Sequence, residues 1–167
     1  MFSLLIELQR LKNLDRTGWT LRGHAPGAES VAAHSYGVVV AAMLLGDEVR
    51  ARGLKVDMER LLGADVRRRA ERAAFDDMVG ERGEKFDYSE LHADYEERAS
   101  LEARLVKAAD IVDLLVQALA FERAGARGLD EFWDGVAERD FKLEGAAQEV
   151  LHEVFAELRS ARMKAEG

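Results

Sequence analysis

The stretch "SLEARLVKAADIVDLLVQALAFERAG", residues 100–125, decides the fold class of this chain. Its apolar side chains recur at spacings of three and four residues, which is typical of a helix with most of its surface buried. The same spacing runs through almost the whole sequence, and Pro26 is the only proline. Because no alternating strand pattern competes with it, the sequence predicts an all-α fold in the form of a compact helical bundle.

Capping residues predict where the helices begin and end. A second helix begins close to Glu29 or Ser30 and ends at Gly53, and Gly125 and Gly128 follow the end of the apolar helix. Two further amphipathic segments occupy residues 129–141 and 146–163. We therefore expect a single helical domain over residues 1–167, with no internal repeat.

Composition excludes several classes of function. The chain has 24 basic and 32 acidic residues, and its net charge of -8 argues against general nucleic-acid binding. It has no cysteine, so only His, Asp and Glu remain as protein metal ligands. There is no stretch of 18 uncharged apolar residues, and the N-terminal residues do not fit a signal peptide. We expect a cytoplasmic protein that does not bind membranes.

His34 lies in a small, apolar helical run. It shares a helix face with Val31, Val38, Ala41 and Leu45, so its imidazole is predicted to point inward. Two interpretations remain open at this point. His34 is either a neutral core histidine bonded to a backbone carbonyl, or a residue with a chemical role.

Asp110 and Asp113 lie on the apolar helix, one turn apart. Buried carboxylates are rare unless they are paired or bind a metal, because an isolated buried charge costs more than packing returns. Lys107 or an arginine elsewhere would neutralise them in a purely structural interpretation. For Asp110 the structural interpretation and a functional role are equally well supported, whereas for Asp113 the structural interpretation is favoured.

Three segments together resemble a known family. These are "RTGW" (16–19), "ESVAAHS" (29–35) and "YEERASLEARLVKAADIVDLLVQALAFE" (95–122), and they closely resemble the HD-domain phosphohydrolases of the 5′-deoxynucleotidase type. The likeness runs from Leu5 to about Gly128. It implies an HD-domain-like bundle and a divalent metal held by a first histidine, a central His-Asp dyad and a late aspartate. The first and last ligands correspond to His34 and Asp110.

The resemblance also implies a substrate and a cofactor. The expected activity is hydrolysis of deoxynucleoside 5′-monophosphates or similar phosphomonoesters, by a homodimer that uses Mn, Co, Fe, Zn or Mg. Arg16 could bind the phosphate, and Trp19 could form a flat wall against the sugar or base. The alternatives are a surface ion pair for Arg16 and a hydrophobic plug between loop and helix for Trp19.

The central His-Asp dyad of that family is missing near residues 62–65. The sequence there reads "GADVRRR", and no histidine occurs between His34 and His92. Asp65 lies in the right region but has no histidine beside it, so no catalytic residue is assigned. We interpret His92 as part of an exposed acidic helix, and His24 and His152 as solvated surface residues.

Two explanations of this gap remain open. If the polypeptide truly lacks the segment, only two protein ligands remain, and these cannot hold a catalytic metal tightly. The alternative function is then a catalytically silent helical module for dimerisation or nucleotide binding. If the printed sequence omits a stretch of the natural protein, the enzyme is intact. The second explanation is favoured, because removing core helices would expose the apolar faces of their neighbours.

Overall fold

The computed structural model describes residues 9, 11–24, 27–62, 94–137 and 139–164. Its helices are α1 (Thr17–Thr20), α2 (Val31–Ala51), α3 (Leu101–Arg123), α4 (Asp130–Ala137) and α5 (Gly145–Met163). Shorter helical stretches lie at 11–13, 58–62 and 94–97. Within these described ranges the structure contains no strand, only an isolated bridge between Asp15 and Ser30. The predicted all-α fold is confirmed.

The two long central helices begin and end where their capping residues predict. The hydroxyl groups of Ser30 and Ser100 each accept a hydrogen bond of 3.1 Å from the amide three residues further on, which caps α2 and α3. Gly53 and Gly125 follow the ends of these helices with φ of 90° and 101°. This left-handed conformation strains other residues, so both glycines are suited to stop a helix.

The core lies where α3 packs against α2, with α5 against both helices and α4 against α3. The largest side chains that are almost fully buried come from every part of this arrangement: Trp19, Val38, Val49, Leu61, Leu105, Val106, Leu115, Leu129 and Val150. Gly46 of α2 lets the 58–62 segment come close, since a Cβ atom there would lie 2.7 Å from the Leu61 side chain. None of the described helices is long and apolar enough to cross a bilayer.

One face of α2 is apolar and exposed. Tyr36 and Leu44 are 74% and 66% exposed, and Val40 and Met43 lie between them on the same face. A groove of about 470 Å³ runs beside these residues, between α2, α3 and α5. An exposed face of this kind is what the loss of a neighbouring helix would leave, and it is also what a subunit interface would cover.

Of the predicted gap near residues 62–65, residues 63–65 lie outside the described structure. Asp57 caps the helical stretch 58–62 by accepting a hydrogen bond of 3.0 Å from the amide of Arg60. Asp65 and His92 lie outside the described residues, so their interpretations stay predictions.

Candidate metal and phosphate site

A closed loop brings the "RTGW" segment to the start of α2. The amide of Arg16 donates to the carbonyl of Glu29 at 2.9 Å, and the amide of Val31 donates to the carbonyl of Leu14 at 2.8 Å. These two bonds hold the ends of the loop together. They place the side chains of the loop beside the first turn of α2, which carries His34.

The Glu29 carboxylate organises the inner side of this loop. It is 6% exposed and accepts hydrogen bonds from Trp19 Nε1 at 2.5 Å and from Arg16 Nη1 at 3.2 Å. A buried carboxylate with a cationic and an indole donor is well satisfied. Glu29 therefore fixes where the Arg16 guanidinium lies.

His34 lies between two aspartates of α3. Its Nδ1 is 2.6 Å from Asp113 Oδ2 and its Nε2 is 3.2 Å from Asp110 Oδ1, and the imidazole is buried. Burial lowers the pKa of His34, but the hydrogen bonds to Asp110 and Asp113 outweigh it and raise the pKa above the ordinary 6.5. The inward placement is confirmed. The interpretation of a histidine bonded to a backbone carbonyl is wrong, because both ring nitrogens face carboxylates.

The contact between α2 and α3 depends on a glycine. A Cβ atom on Gly37 would lie 1.9 Å from Asp113 Oδ1 and 2.7 Å from its Cγ. Gly37 is one helical turn after His34, so its missing side chain opens the space that the Asp113 carboxylate occupies. Any larger residue at this position would displace Asp113.

Both aspartates contact His34, and Asp110 contacts Lys107 as well. Lys107 Nζ lies 3.6 Å from Asp110 Oδ2, as the structural interpretation of Asp110 predicts. For Asp113 that interpretation is wrong, because its carboxylate pairs with His34. The reason is helical geometry: Asp110 is three residues after Lys107 and faces it, whereas Asp113 is six residues away and faces α2.

These side chains suit a divalent cation. Glu29, His34 and Asp113 each present one potential ligand atom, and these atoms lie within 4.8 Å of one another. Asp110 approaches the same imidazole from its other nitrogen. One imidazole among buried carboxylate oxygens is a donor set for borderline and hard metals such as Mn, Co, Fe, Zn and Mg.

Trp19 lies in the position of the predicted plug between loop and helix. It is only 1% exposed and packs against the rings of Phe121 and Phe132, with centroid distances of 4.9 and 5.0 Å. His24 also stacks on Phe121, with centroids 4.7 Å apart, so it is half-buried and not the fully solvated residue that the sequence predicts. The apolar surroundings of the loop explain this, since stacking covers one face of its ring. His152 is exposed, as predicted.

Sequence reasoning missed two residues of this site. The sequence indicates Glu29 only as a residue at the start of α2, although it is the acid that follows the loop and lies within reach of Arg16. Gly37 has no sequence signal beyond being a glycine inside a helix, where glycine is unfavourable unless close packing requires it.

Comparisons with known proteins show similarity in sequence and in fold. A family described as "HD domain" matches residues 8–64. The 5′-deoxynucleotidase HDDC2 of Xenopus laevis is 28% identical over an alignment of 148 residues, which covers 77% of this chain and 73% of that protein. The crystal structure of the PH0347 protein from Pyrococcus horikoshii OT3 is 30% identical, with a TM-score of 0.77 over 96% of this chain and 99% of that chain. A conserved hypothetical protein from Pyrococcus furiosus is 28% identical, with a TM-score of 0.73 over the same shares.

The fold and the site therefore define an all-α domain of the HD type. The chain belongs to the HD-domain family, as the three sequence segments indicate. Its relatives support metal-dependent phosphohydrolase chemistry for this fold.

Proposed function

We propose that this protein hydrolyses deoxynucleoside 5′-monophosphates or similar phosphomonoesters, with a divalent metal as its cofactor. The observation that carries the proposal is His34, which is buried between Asp110 and Asp113 and adjoins the Glu29 and Arg16 pair. Two carboxylates around one buried imidazole form a cluster of negative charge that a cation would stabilise. The name of the Xenopus relative supports the choice of substrate class.

His34 and Asp110 are the proposed metal ligands. Glu29 also presents a carboxylate oxygen within 4.8 Å of a ring nitrogen of His34. When it is bound, such a metal lowers the pKa of a water molecule and polarises a phosphate. The buried carboxylates supply the negative charge that stabilises a cation in an apolar interior.

Arg16 is the proposed phosphate ligand. Its side chain is 21% exposed, so the guanidinium reaches the solvent while Glu29 holds one of its nitrogens at 3.2 Å. Its positive charge is near enough to lower the pKa of His34, which places it next to the proposed metal site. The remaining donors of a guanidinium can bind a phosphate in two places at once. Trp19 supports this arrangement through Glu29, and its role as a wall for the sugar or base stays a prediction.

Phosphate release tests the proposal. The metal-stripped protein is incubated with each deoxynucleoside monophosphate and with Mn²⁺, Co²⁺, Mg²⁺ or Zn²⁺ in turn. We expect release that depends on the metal and that His34→Ala and Asp110→Asn abolish. His152→Ala, which changes an exposed histidine, is the matched control and should release phosphate at the wild-type rate. Unchanged turnover in His34→Ala or Asp110→Asn would contradict the ligand assignment.

A catalytically silent module is the second candidate function. The sequence lacks the His-Asp dyad of the family, and that observation favours it. Such a protein would bind a deoxynucleotide through Arg16 without cleaving it. Calorimetry that shows tight binding, weakened by Arg16→Ala, together with no phosphate release under any metal, would select this candidate over the enzyme.

We propose further that the protein works in the cytoplasm as a homodimer. The exposed apolar face of α2, which runs from Tyr36 to Leu44, supports this proposal, because a subunit interface would cover it. Leu44→Glu should then convert a dimer to a monomer in light scattering. A wild-type protein that is already monomeric at high concentration would contradict the dimer.

A further inference from the structure

We propose that Asp113 is a positioning residue that fixes the orientation and the tautomer of His34, and that Gly37 provides the space this requires. The inference rests on the proposed function, because its purpose is to present His34 Nε2 to a metal. It assigns roles to two residues on facing helices. In this role Asp113 acts through His34 and does not itself ligate the metal.

The two carboxylates on His34 are not equivalent. Asp113 Oδ2 lies 2.6 Å from Nδ1, whereas Asp110 Oδ1 lies 3.2 Å from Nε2. When the ring carries one proton, the shorter contact favours that proton on Nδ1, where it is donated to Asp113. Nε2 is then left with its lone pair on the side of Asp110, which is the form that binds a metal.

The packing around Asp113 restricts it to this role. Its side chain is 14% exposed and lies against the backbone of α2 at Gly37. A Cβ atom at position 37 would occupy the space of the carboxylate, at 1.9 Å from Oδ1. The Asp113 carboxylate can therefore lie against α2 only because Gly37 has no side chain. A carboxylate that holds the far nitrogen of a ligating histidine orients the ring and increases its basicity.

The first experiment reads the tautomer directly in the metal-free protein. Nitrogen chemical shifts of His34, recorded by NMR at a pH where the ring is neutral, report which nitrogen carries the proton. We expect the proton on Nδ1 in the wild type and in Asp113→Asn, whose amide oxygen still accepts it. We expect a shift towards Nε2 in Asp113→Ala. A proton on Nε2 in the wild type, or no change in Asp113→Ala, would overturn the inference.

The second experiment measures the affinity for Co²⁺, followed by its visible absorption. Asp113→Ala should weaken binding by roughly 10- to 100-fold, as loss of such a supporting carboxylate does. Asp113→Asn should recover most of that loss if Asp113 positions His34. Equal losses in Asp113→Ala and Asp113→Asn would show a direct ligand and would overturn the inference. If the wild type binds no Co²⁺, the proposed function fails, and the NMR result still decides the role of Asp113.

Gly37→Ala provides an independent variant. It should displace Asp113 and weaken Co²⁺ binding about as much as Asp113→Ala. In the Asp113→Ala background, Gly37→Ala should not weaken Co²⁺ binding any further, because the space of the Asp113 carboxylate is then empty. Gly135→Ala is the matched control, since a Cβ atom at that helical glycine meets nothing within 4 Å. Additive effects of Gly37→Ala and Asp113→Ala would contradict a shared contact.

Discussion

Asp94→Ala is the change for which the structure gives the clearest stability prediction. The Asp94 carboxylate is buried and accepts bonds from the amide of Ser100 at 2.7 Å and from its hydroxyl at 2.5 Å. Arg60 donates to it from Nε at 3.1 Å and from Nη2 at 2.8 Å. Asp94 therefore connects the 58–62 helical stretch to the start of α3, on the two sides of residues 63–93.

The expected loss is about 3 kcal/mol in the free energy of unfolding at neutral pH. Breaking a buried charge pair by removing one partner costs about 3–5 kcal/mol, and the lower end applies because the Arg60 side chain is 35% exposed and can regain water. The amide and hydroxyl of Ser100 lose their acceptor in the same change. Asp134→Ala, at an exposed aspartate of α4, is the matched control and should change stability by less than about 0.5 kcal/mol.

The loss should depend on pH. Burial alone would raise the pKa of Asp94, but the bonds from Ser100 and Arg60 outweigh it and lower the pKa below the ordinary 3.8. A carboxylate with a lowered pKa stabilises the folded state fully above its unfolded pKa, and this contribution disappears as the pH falls through the folded pKa. The difference in the free energy of unfolding between wild type and Asp94→Ala should therefore become smaller by up to about 1.4 kcal/mol for each pH unit below about 3.9.

Urea denaturation at a series of pH values measures this difference. We expect the free energies of unfolding of the two proteins to differ by about 3 kcal/mol from about pH 7 to pH 5, and this difference to decrease at lower pH. A gap below about 1 kcal/mol at neutral pH would refute the reasoning that the network is buried and intact. A gap that stays constant in acid would refute the lowered pKa.

Two further predictions use the described contacts and the sequence. Trp19→Phe should lose about 2 kcal/mol more stability in thermal unfolding than Trp133→Phe. The reason is that Trp19 donates to the Glu29 carboxylate, whereas Nε1 of the buried Trp133 has no hydrogen-bond partner in the part of the chain described. Equal losses in the two variants would contradict this. Mass spectrometry of protein expressed from its native gene should give an intact mass above 18.6 kDa and no tryptic peptide "LLGADVR" from Leu61 to Arg67. A mass of 18.6 kDa together with that peptide would show that the His-Asp dyad is truly absent.

Helix positions could be predicted because they depend on local signals. Ser30 and Ser100 carry the side-chain oxygens that cap α2 and α3, and the apolar spacing selects the faces that are buried. The inward direction of His34 follows from the same spacing. These features need only neighbours within one or two turns of the same helix.

The partners of His34 could not be predicted because they depend on how α2 packs against α3. The apolar helix marks Asp113 as an unusual acid, but nothing in the sequence indicates its partner, and the missing side chain of Gly37 lets it reach the imidazole. The loop closure that brings Glu29 to Arg16 is likewise a long-range contact. Such contacts require the tertiary structure.

The metal assignment is tested most directly by anomalous diffraction from crystals of the full chain soaked in Mn²⁺. We expect an anomalous peak within coordination distance of His34 and Asp110, with Glu29 and Asp113 close to it. No peak at this position in a fully soaked crystal, or a manganese ion bound only elsewhere, would contradict the proposal that these residues hold the cofactor.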